Sequence, residues 1–193
     1  MCYNIVTIIK DWKFFMKKSK RGLTYLLTPD YMFNTFDEIT PEFLKSIGIK
    51  ALLIDIDNTL APYEQPEPDD RIKGWFDGLR EAGISASLIS NNHAPRVELF
   101  NKELGLDAYP DSKKPKSKTL IFAMNKMGSD STNTAVLGDQ LLTDALAGHR
   151  LGLVALIVPP IKDKTTLFFK FKRWLEKPYI KKYKREHSEE NKK

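Results

Sequence analysis

From residue 48 onward the chain predicts an α/β fold: a three-layer, doubly wound, mostly parallel five-stranded sheet. Three observations carry this. Strand-like and helix-like segments alternate without a break, which builds parallel sheets through crossover helices. The length of 193 residues suits one domain with extensions. Polar residues also gather at the ends of four of the five expected strands, where open α/β sheets bind ligands.

The elements follow in order. IKALLIDI (49–56) reads as a buried strand. DDRIKGWFDGLREAG (69–83) reads as a helix, with an aspartate at its start and Gly83 just past its end. ISASLIS (84–90) is the second strand, and Pro95 opens a helix that runs toward Gly105. LDAYP (106–110) is a short third strand, and PKSKTLIFAMNKMG (115–128) the next helix. TNTAVLGD (132–139) is the fourth strand, LLTDALAG (141–148) a short helix, and GLVALIVPP (152–160) the fifth strand.

Charge divides the chain into three parts: a basic N-terminal segment (1–21), a core (22–160) and a basic C-terminal segment (161–193). Residues 1–21 hold six Lys/Arg against one acid, and residues 161–193 hold twelve against five. The middle is left with thirteen bases and nineteen acids, which argues against a nucleic-acid-binding core. Both ends carry amphipathic, aromatic patterns. Ile5, Ile8, Ile9, Trp12, Phe15 and Met16 recur at helical spacing in the first. Leu167, Phe171, Trp174 and Leu175 share one side of the second, which Pro178 is expected to stop. Neither run is long enough to span a bilayer. Together they suggest peripheral attachment to an anionic membrane; the competing expectation is that both helices pack on the core with their lysines solvated. Cys2 is the only cysteine, so no disulfide framework points to secretion, and a cytoplasmic protein is expected. His93 and His149 show no metal-type spacing and are expected at the surface or at helix ends.

The strand ends assemble a site. Strand one delivers Asp55 and Asp57, strand two Ser90 and Asn91, and the loop after strand three Lys113, Lys114 and Lys116. Strand four delivers Asp139, with Asp144 shortly after. Asp55 and Asp57 start on one face of a strand and can converge. Carboxylates gathered this way need a countercharge, and oxygen-only ligation suits a hard cation, most simply Mg²⁺. Ser90, its neighbouring N–H groups and a lysine then read as a cradle for phosphate oxygens. These parts suit phosphoryl transfer.

DIDNT, LISNN, KKPK and GDQLLTD, in that order, resemble the four motifs of the haloacid dehalogenase (HAD) superfamily of phosphohydrolases, subclass IIIA. TPDYMFNTFDEITPEFLKSIGIKALLIDIDNTLAPYEQP and GDQLLTDALAGHRLGLVALIVPPI resemble the YqeG-type phosphatases over roughly residues 25–175. Relatives of that group include the mitochondrial-type phosphatidylglycerophosphate phosphatases. His149 departs from the pattern, which usually has Asn there. The resemblance implies Asp55 as nucleophile and Asp57 as general acid–base. It implies Asp55, the Asp57 carbonyl and Asp139 as Mg²⁺ ligands, with Mn²⁺ not distinguished. Ser90, Asn91 and Lys114 would hold the phosphoryl group, Lys114 being preferred because it precedes Pro115. Asp144 would steady the lysine or the metal's waters, and Asn58 and Thr59 would support the loop. Only about 33 residues separate Asp57 from Ser90, and about 24 separate Ser90 from Lys114. Neither gap holds a cap domain, so an open site is expected, suited to a substrate whose bulk stays outside: a lipid headgroup, a protein, a nucleic-acid end or an oligomer-capped small molecule. Among these the resemblance, with the basic amphipathic ends, favours phosphatidylglycerophosphate, dephosphorylated to phosphatidylglycerol. Two alternatives remain: a phosphatase of soluble sugar phosphates, nucleotides or phosphoproteins, and a non-catalytic binding protein docking RNA or a ribosomal partner through its basic ends.

Overall fold

The computed structural model describes residues 22–162 and 166–190; the amphipathic segment expected over 1–21 lies outside the described residues. It opens with helix α1 (Gly22–Leu27), strand β1 (Tyr31–Met32), a 3₁₀ turn (Phe36–Glu38) and helix α2 (Pro41–Ser46). The alternating body follows as β2 (Ala51–Ile54), α3 (Asp70–Glu81), β3 (Ser85–Ile89), α4 (Ala94–Asn101), β4 (Asp107–Tyr109) and α5 (Lys118–Lys126). Next come β5 (Thr134–Gly138), a π-helical turn (Leu141–Ala145) leading into α6 (Leu146–Leu151), β6 (Val154–Ile157) and α7 (Leu167–Glu190).

The helix starts are chemically marked. Thr40 caps α2 by accepting from the Phe43 N–H at 3.2 Å, with Pro41 in the first turn. Asp69 caps α3 by accepting from the Ile72 N–H at 2.9 Å. Ile72, Trp75, Phe76 and Leu79 then recur at three- and four-residue intervals and are buried. Each contributes roughly 1.5–3 kcal/mol by leaving water.

All six strands are parallel, in the order β1-β6-β5-β2-β3-β4. Side chains along β2 alternate between two cores. Leu52 and Ile54 join the core under α3, whereas Leu53 joins the core formed by Leu120, Met124 and Val136 on the other face. The sheet is therefore covered on both sides, and the three expected layers are present. β2 lies between β3 and β5, so the strand order reverses there and opens a crevice at the strands' carboxyl ends.

Two expectations need correction. Among the described residues the sheet has six strands, not five. β1 is only two residues long, too short to show alternation, and it extends the edge beside β6 through Asp30 N–H to Ala155 O and Phe33 N–H to Ile157 O. Pro178 does not stop the last helix, which runs on to Glu190. An interior proline costs about 3 kcal/mol. Here Pro178 lies on the exposed side of α7, where the carbonyl it leaves unpaired can meet water. Beyond it, Tyr179 and Ile180 pack on the second core, and the Tyr183 hydroxyl accepts from the Met32 N–H of β1 at 3.0 Å.

Candidate active site

The crevice above β2 and β5 is a cleft of about 220 Å³. Asp55 and Asp57 enter it from the end of β2, Ser90, Asn91 and Asn92 from the end of β3, and Lys114 from the loop after β4. Tyr63, Gln140 and Thr143 complete its walls. Between Asp57 and Ser90 the chain forms only a turn, α3 and β3, and between Ser90 and Lys114 only α4 and β4. No cap is inserted at either point.

Of the three candidate lysines, the fold turns Lys114 inward and leaves Lys113 and Lys116 exposed. The Lys114 Nζ lies 2.7 Å from Asp55 Oδ1 and 2.7 Å from Asp144 Oδ1. Burial opposes its charge, but Asp144 and Asp55 outweigh that and hold its pKa above the ordinary lysine value. Burial pushes the Asp55 carboxyl up; Lys114 pulls it back, and Asp144 and Asp139 add to the rise. Asp139 is likewise raised by burial, against the opposing pull of Arg173.

Carboxylate oxygens of Asp55, Asp139 and Asp144 lie within 4.8 Å of one another. The charges do not balance. Asp55, Asp139, Asp144 and Glu176 are buried acids, and they face Lys114 and the largely buried Arg173. Asp57 has its own partner in Arg96; the half-buried Lys172 also faces Glu176, Asp144 and Asp139, and the cluster still keeps an excess of negative charge. One divalent cation offsets that excess, and an all-oxygen donor set is what a hard ion such as Mg²⁺ takes. The residues present therefore fit such an ion. The Asp57 carboxylate stands outside the cluster: its Oδ2 accepts from Asn92 Nδ2 at 3.1 Å and its Oδ1 from Arg96 Nε at 3.2 Å.

The remaining expected residues fall around this centre. Ser90 Oγ accepts from the Asn92 N–H at 3.0 Å, leaving its own proton to donate. Asn91 lines the cleft but uses its amide as a clamp. Its Oδ1 accepts from the Lys114 N–H at 2.7 Å, and its Nδ2 donates to the Lys114 carbonyl at 3.0 Å. Thr59 Oγ1 points to Asp55 Oδ2 at 3.4 Å. Asn58 takes φ +67°, a left-handed conformation that Asn tolerates. Its backbone carbonyl and Oδ1 accept from the N–H groups of Ile161 and Lys162. Asp144 Oδ2 accepts from the Gln140 N–H and the Thr143 hydroxyl, which fix it beneath Lys114. Gly138 makes room for it: a Cβ there would sit 2.3 Å from Asp144 Cγ.

Several contributors were missed in the sequence. Asn92 and Arg96 both hold Asp57, and their signal was proximity alone, since α4 starts directly after the serine motif. Arg96 Nη1 also donates to the Pro66 carbonyl at 2.9 Å, and its guanidinium lies 5.0 Å from the Phe100 ring. Arg173 and Glu176 arrive from α7, with only an i,i+3 charge pair to announce them. His149 lies in the last turn of α6, the helix-end position expected, and not at the surface. It is buried, with Nδ1 donating to the Leu26 carbonyl and Nε2 against Asp30, and so ties α1 to the sheet edge. His93, at the exposed start of α4, pairs with Asp111.

An aspartate at the end of a central strand, a second aspartate two residues on, and a lysine-clamped acidic cluster are the parts of a phosphoric monoester hydrolase of the HAD superfamily. Comparison with known proteins agrees. The family model described as mitochondrial PGP phosphatase matches residues 21–161. A Bacillus subtilis (strain 168) protein described as "Probable phosphatase YqeG" is 34% identical over 161 residues, 83% of this chain and 93% of that one. The chain belongs to this mitochondrial PGP phosphatase family, with YqeG as a relative. Among solved structures, an uncharacterized protein from Listeria monocytogenes serotype 4b gives a TM-score of 0.49 at 15% identity, covering 61% of this chain and 85% of that one. The cobalt-bound deoxy-D-mannose-octulosonate 8-phosphate phosphatase YrbI of Haemophilus influenzae gives 0.48 at 18% identity, covering 66% and 77%.

Proposed function

We propose that the protein removes the terminal phosphate of phosphatidylglycerophosphate, giving phosphatidylglycerol and inorganic phosphate, with Mg²⁺ held by Asp55, the Asp57 carbonyl and Asp139. The family supports the chemistry, and the open cleft suits a substrate whose bulk stays outside. One further observation favours a lipid. Helix α7 turns Arg173, Glu176 and Tyr183 toward the core and leaves Leu167, Phe171 and Trp174 outside, 84%, 56% and 62% exposed. Lys170, Lys177 and Lys181 are exposed beside them. An outward apolar face flanked by lysines fits the surface of an anionic bilayer, with each lysine adding about 1 kcal/mol. No described helix is long and apolar enough to cross a membrane. In this reading the protein works peripherally, on the cytoplasmic face of the membrane.

In this reading Asp55 attacks phosphorus while Asp57 gives its proton to the departing glycerol oxygen. Ser90 and Lys114 hold the phosphoryl oxygens, and Asn91 holds Lys114. Asp57, now a carboxylate, takes a proton from the water that attacks the aspartyl-phosphate. That bond breaks, phosphate leaves and Asp55 is restored. A bound Mg²⁺ supplies neutralisation of the charge that gathers on the phosphoryl oxygens. Asn92 and Arg96 orient Asp57 throughout.

The test is phosphate release from phosphatidylglycerophosphate in mixed micelles with Mg²⁺, beside soluble phosphomonoesters, for wild type, Asp55→Asn and a Leu167→Ser/Phe171→Ser/Trp174→Ser variant. Release from the lipid is expected, abolished in Asp55→Asn and weakened on vesicles in the triple variant. Release only from soluble esters would refute the lipid assignment, and vesicle activity unchanged in the triple variant would refute membrane docking through α7.

A further inference from the structure

The C-terminal helix does more than present a surface. Arg173 reaches from α7 into the acidic cluster: its Nη2 pairs with Asp139 Oδ2, and its Nη1 donates to the Asp139 carbonyl at 2.6 Å. Nη1 also donates to Glu176 Oε2 at 3.0 Å. Glu176 is itself buried, and its Oε1 accepts from the Leu142 N–H of the π-helical turn at 3.0 Å. The guanidinium is thus anchored at three points, two of which do not involve the Asp139 side chain. Asp139 Oδ1, by contrast, has only a long contact of 3.4 Å from Gln140 Nε2.

We propose that Arg173 is a positioning residue for the metal site: it fixes one carboxylate oxygen of Asp139 so that the other faces the cation. This rests on the reading of Asp139 as a metal ligand. Arg173 and Glu176 form a neutral pair, so the arginine can hold Asp139 without cancelling the charge that attracts the ion. A planar guanidinium bonded to both the carboxylate and the backbone carbonyl of one residue fixes its rotamer, which a lysine does less well. Hydrogen-bond partners of metal ligands matter in this way, and losing one commonly costs 10–100-fold in metal affinity.

The experiment measures Mn²⁺ binding to the full chain by electron paramagnetic resonance. Asp139→Asn tests the underlying ligand assignment, and wild-type Mn²⁺ affinity in that variant would remove the reading and the inference together. Given loss there, Arg173→Gln is expected to weaken Mn²⁺ binding about 10–100-fold, with Arg173→Lys restoring part of it. Should Arg173→Gln fail to fold, Glu176→Gln reads the same effect at smaller size, on the order of 3–10-fold within that range. Tyr183→Phe loosens α7 at its other anchor and is expected to leave Mn²⁺ affinity unchanged. Unchanged or tighter binding in both Arg173→Gln and Glu176→Gln, or equal weakening in Tyr183→Phe, would overturn the proposal.

Discussion

Replacing Asp55 with asparagine should make the metal-free protein more stable. In most cores a buried Asp→Asn change is neutral or harmful, but Asp55 sits in a cluster where buried acids outnumber the cations that face them. Burial and the Asp144 and Asp139 carboxylates, opposed by Lys114, push its pKa from 3.8 to about 8. A carboxyl raised in the folded state contributes stability that is complete below 3.8 and is lost as pH rises through about 8. At pH 7 the loss has an upper bound of about 4 kcal/mol, from roughly 1.4 kcal/mol per tenfold change in proton activity. Asparagine keeps an oxygen for Lys114 and Thr59, so about half of that bound, ~2 kcal/mol, is the expected gain. For a chain of this size that raises Tm by about 4–8 °C. The assay is thermal unfolding in EDTA at pH 5 and pH 8, for wild type and Asp55→Asn, repeated with Mg²⁺. The gain should be larger at pH 8, and Mg²⁺ should stabilise wild type most at pH 8 and the variant little. A lower Tm for Asp55→Asn in EDTA at pH 8, or equal Mg²⁺ stabilisation of both proteins, would refute the charge argument.

Other substitutions probe separate parts. Gly138→Ala places a methyl group 2.3 Å from Asp144 Cγ; it should destabilise by about 1–3 kcal/mol and reduce kcat, read by unfolding and phosphate release. Arg96→Ala frees one side of Asp57 and should lower kcat about 10-fold, a part of the 10²–10⁴-fold worth of general acid–base help. Steady-state kinetics with KM held separate would check it. Tyr183→Phe leaves the Met32 N–H without its acceptor and should cost about 1–2 kcal/mol, with loss of amide protection at β1 as the local readout.

Much of the fold was legible because each crossover unit announces itself locally. Runs such as ALLI and AVLG are buried on both faces, and the capped, amphipathic α3 could be placed from residues near in sequence. Asp55, Asp57, Ser90 and Asp139 were legible for the same reason, each lying at or just past a strand's end, whereas Lys114 and Asp144 lie further on and were picked out by the motif resemblance. What escaped depends on contacts distant in sequence. β1 exists because the edge of β6 is there to receive it. The roles of Asn92 and Arg96 follow from where α4 begins in space, and the clamp formed by Asn91 depends on how the Lys114 loop returns. Helix α7 is the clearest case. An apolar stripe invites the expectation that this side meets the protein or a membrane. Yet the surface waiting for α7 includes the acidic loop after β5, so Arg173 and Glu176 turn inward and the stripe turns out.

A helix seated by directional polar contacts also tolerates changes in chain length unevenly. Greasy surfaces can slip past one another, whereas Arg173 meets Asp139 at only one rotation, and Tyr183 must meet Met32 at the same time. One residue inserted between Glu176 and Tyr183 would turn one anchor by about 100° relative to the other, and both could not engage. An insertion ahead of Leu167, before the helix begins, leaves their mutual phase intact. The spacing inside α7 is therefore a fixed dimension of the molecule, while the length of the connection leading to it is free to drift.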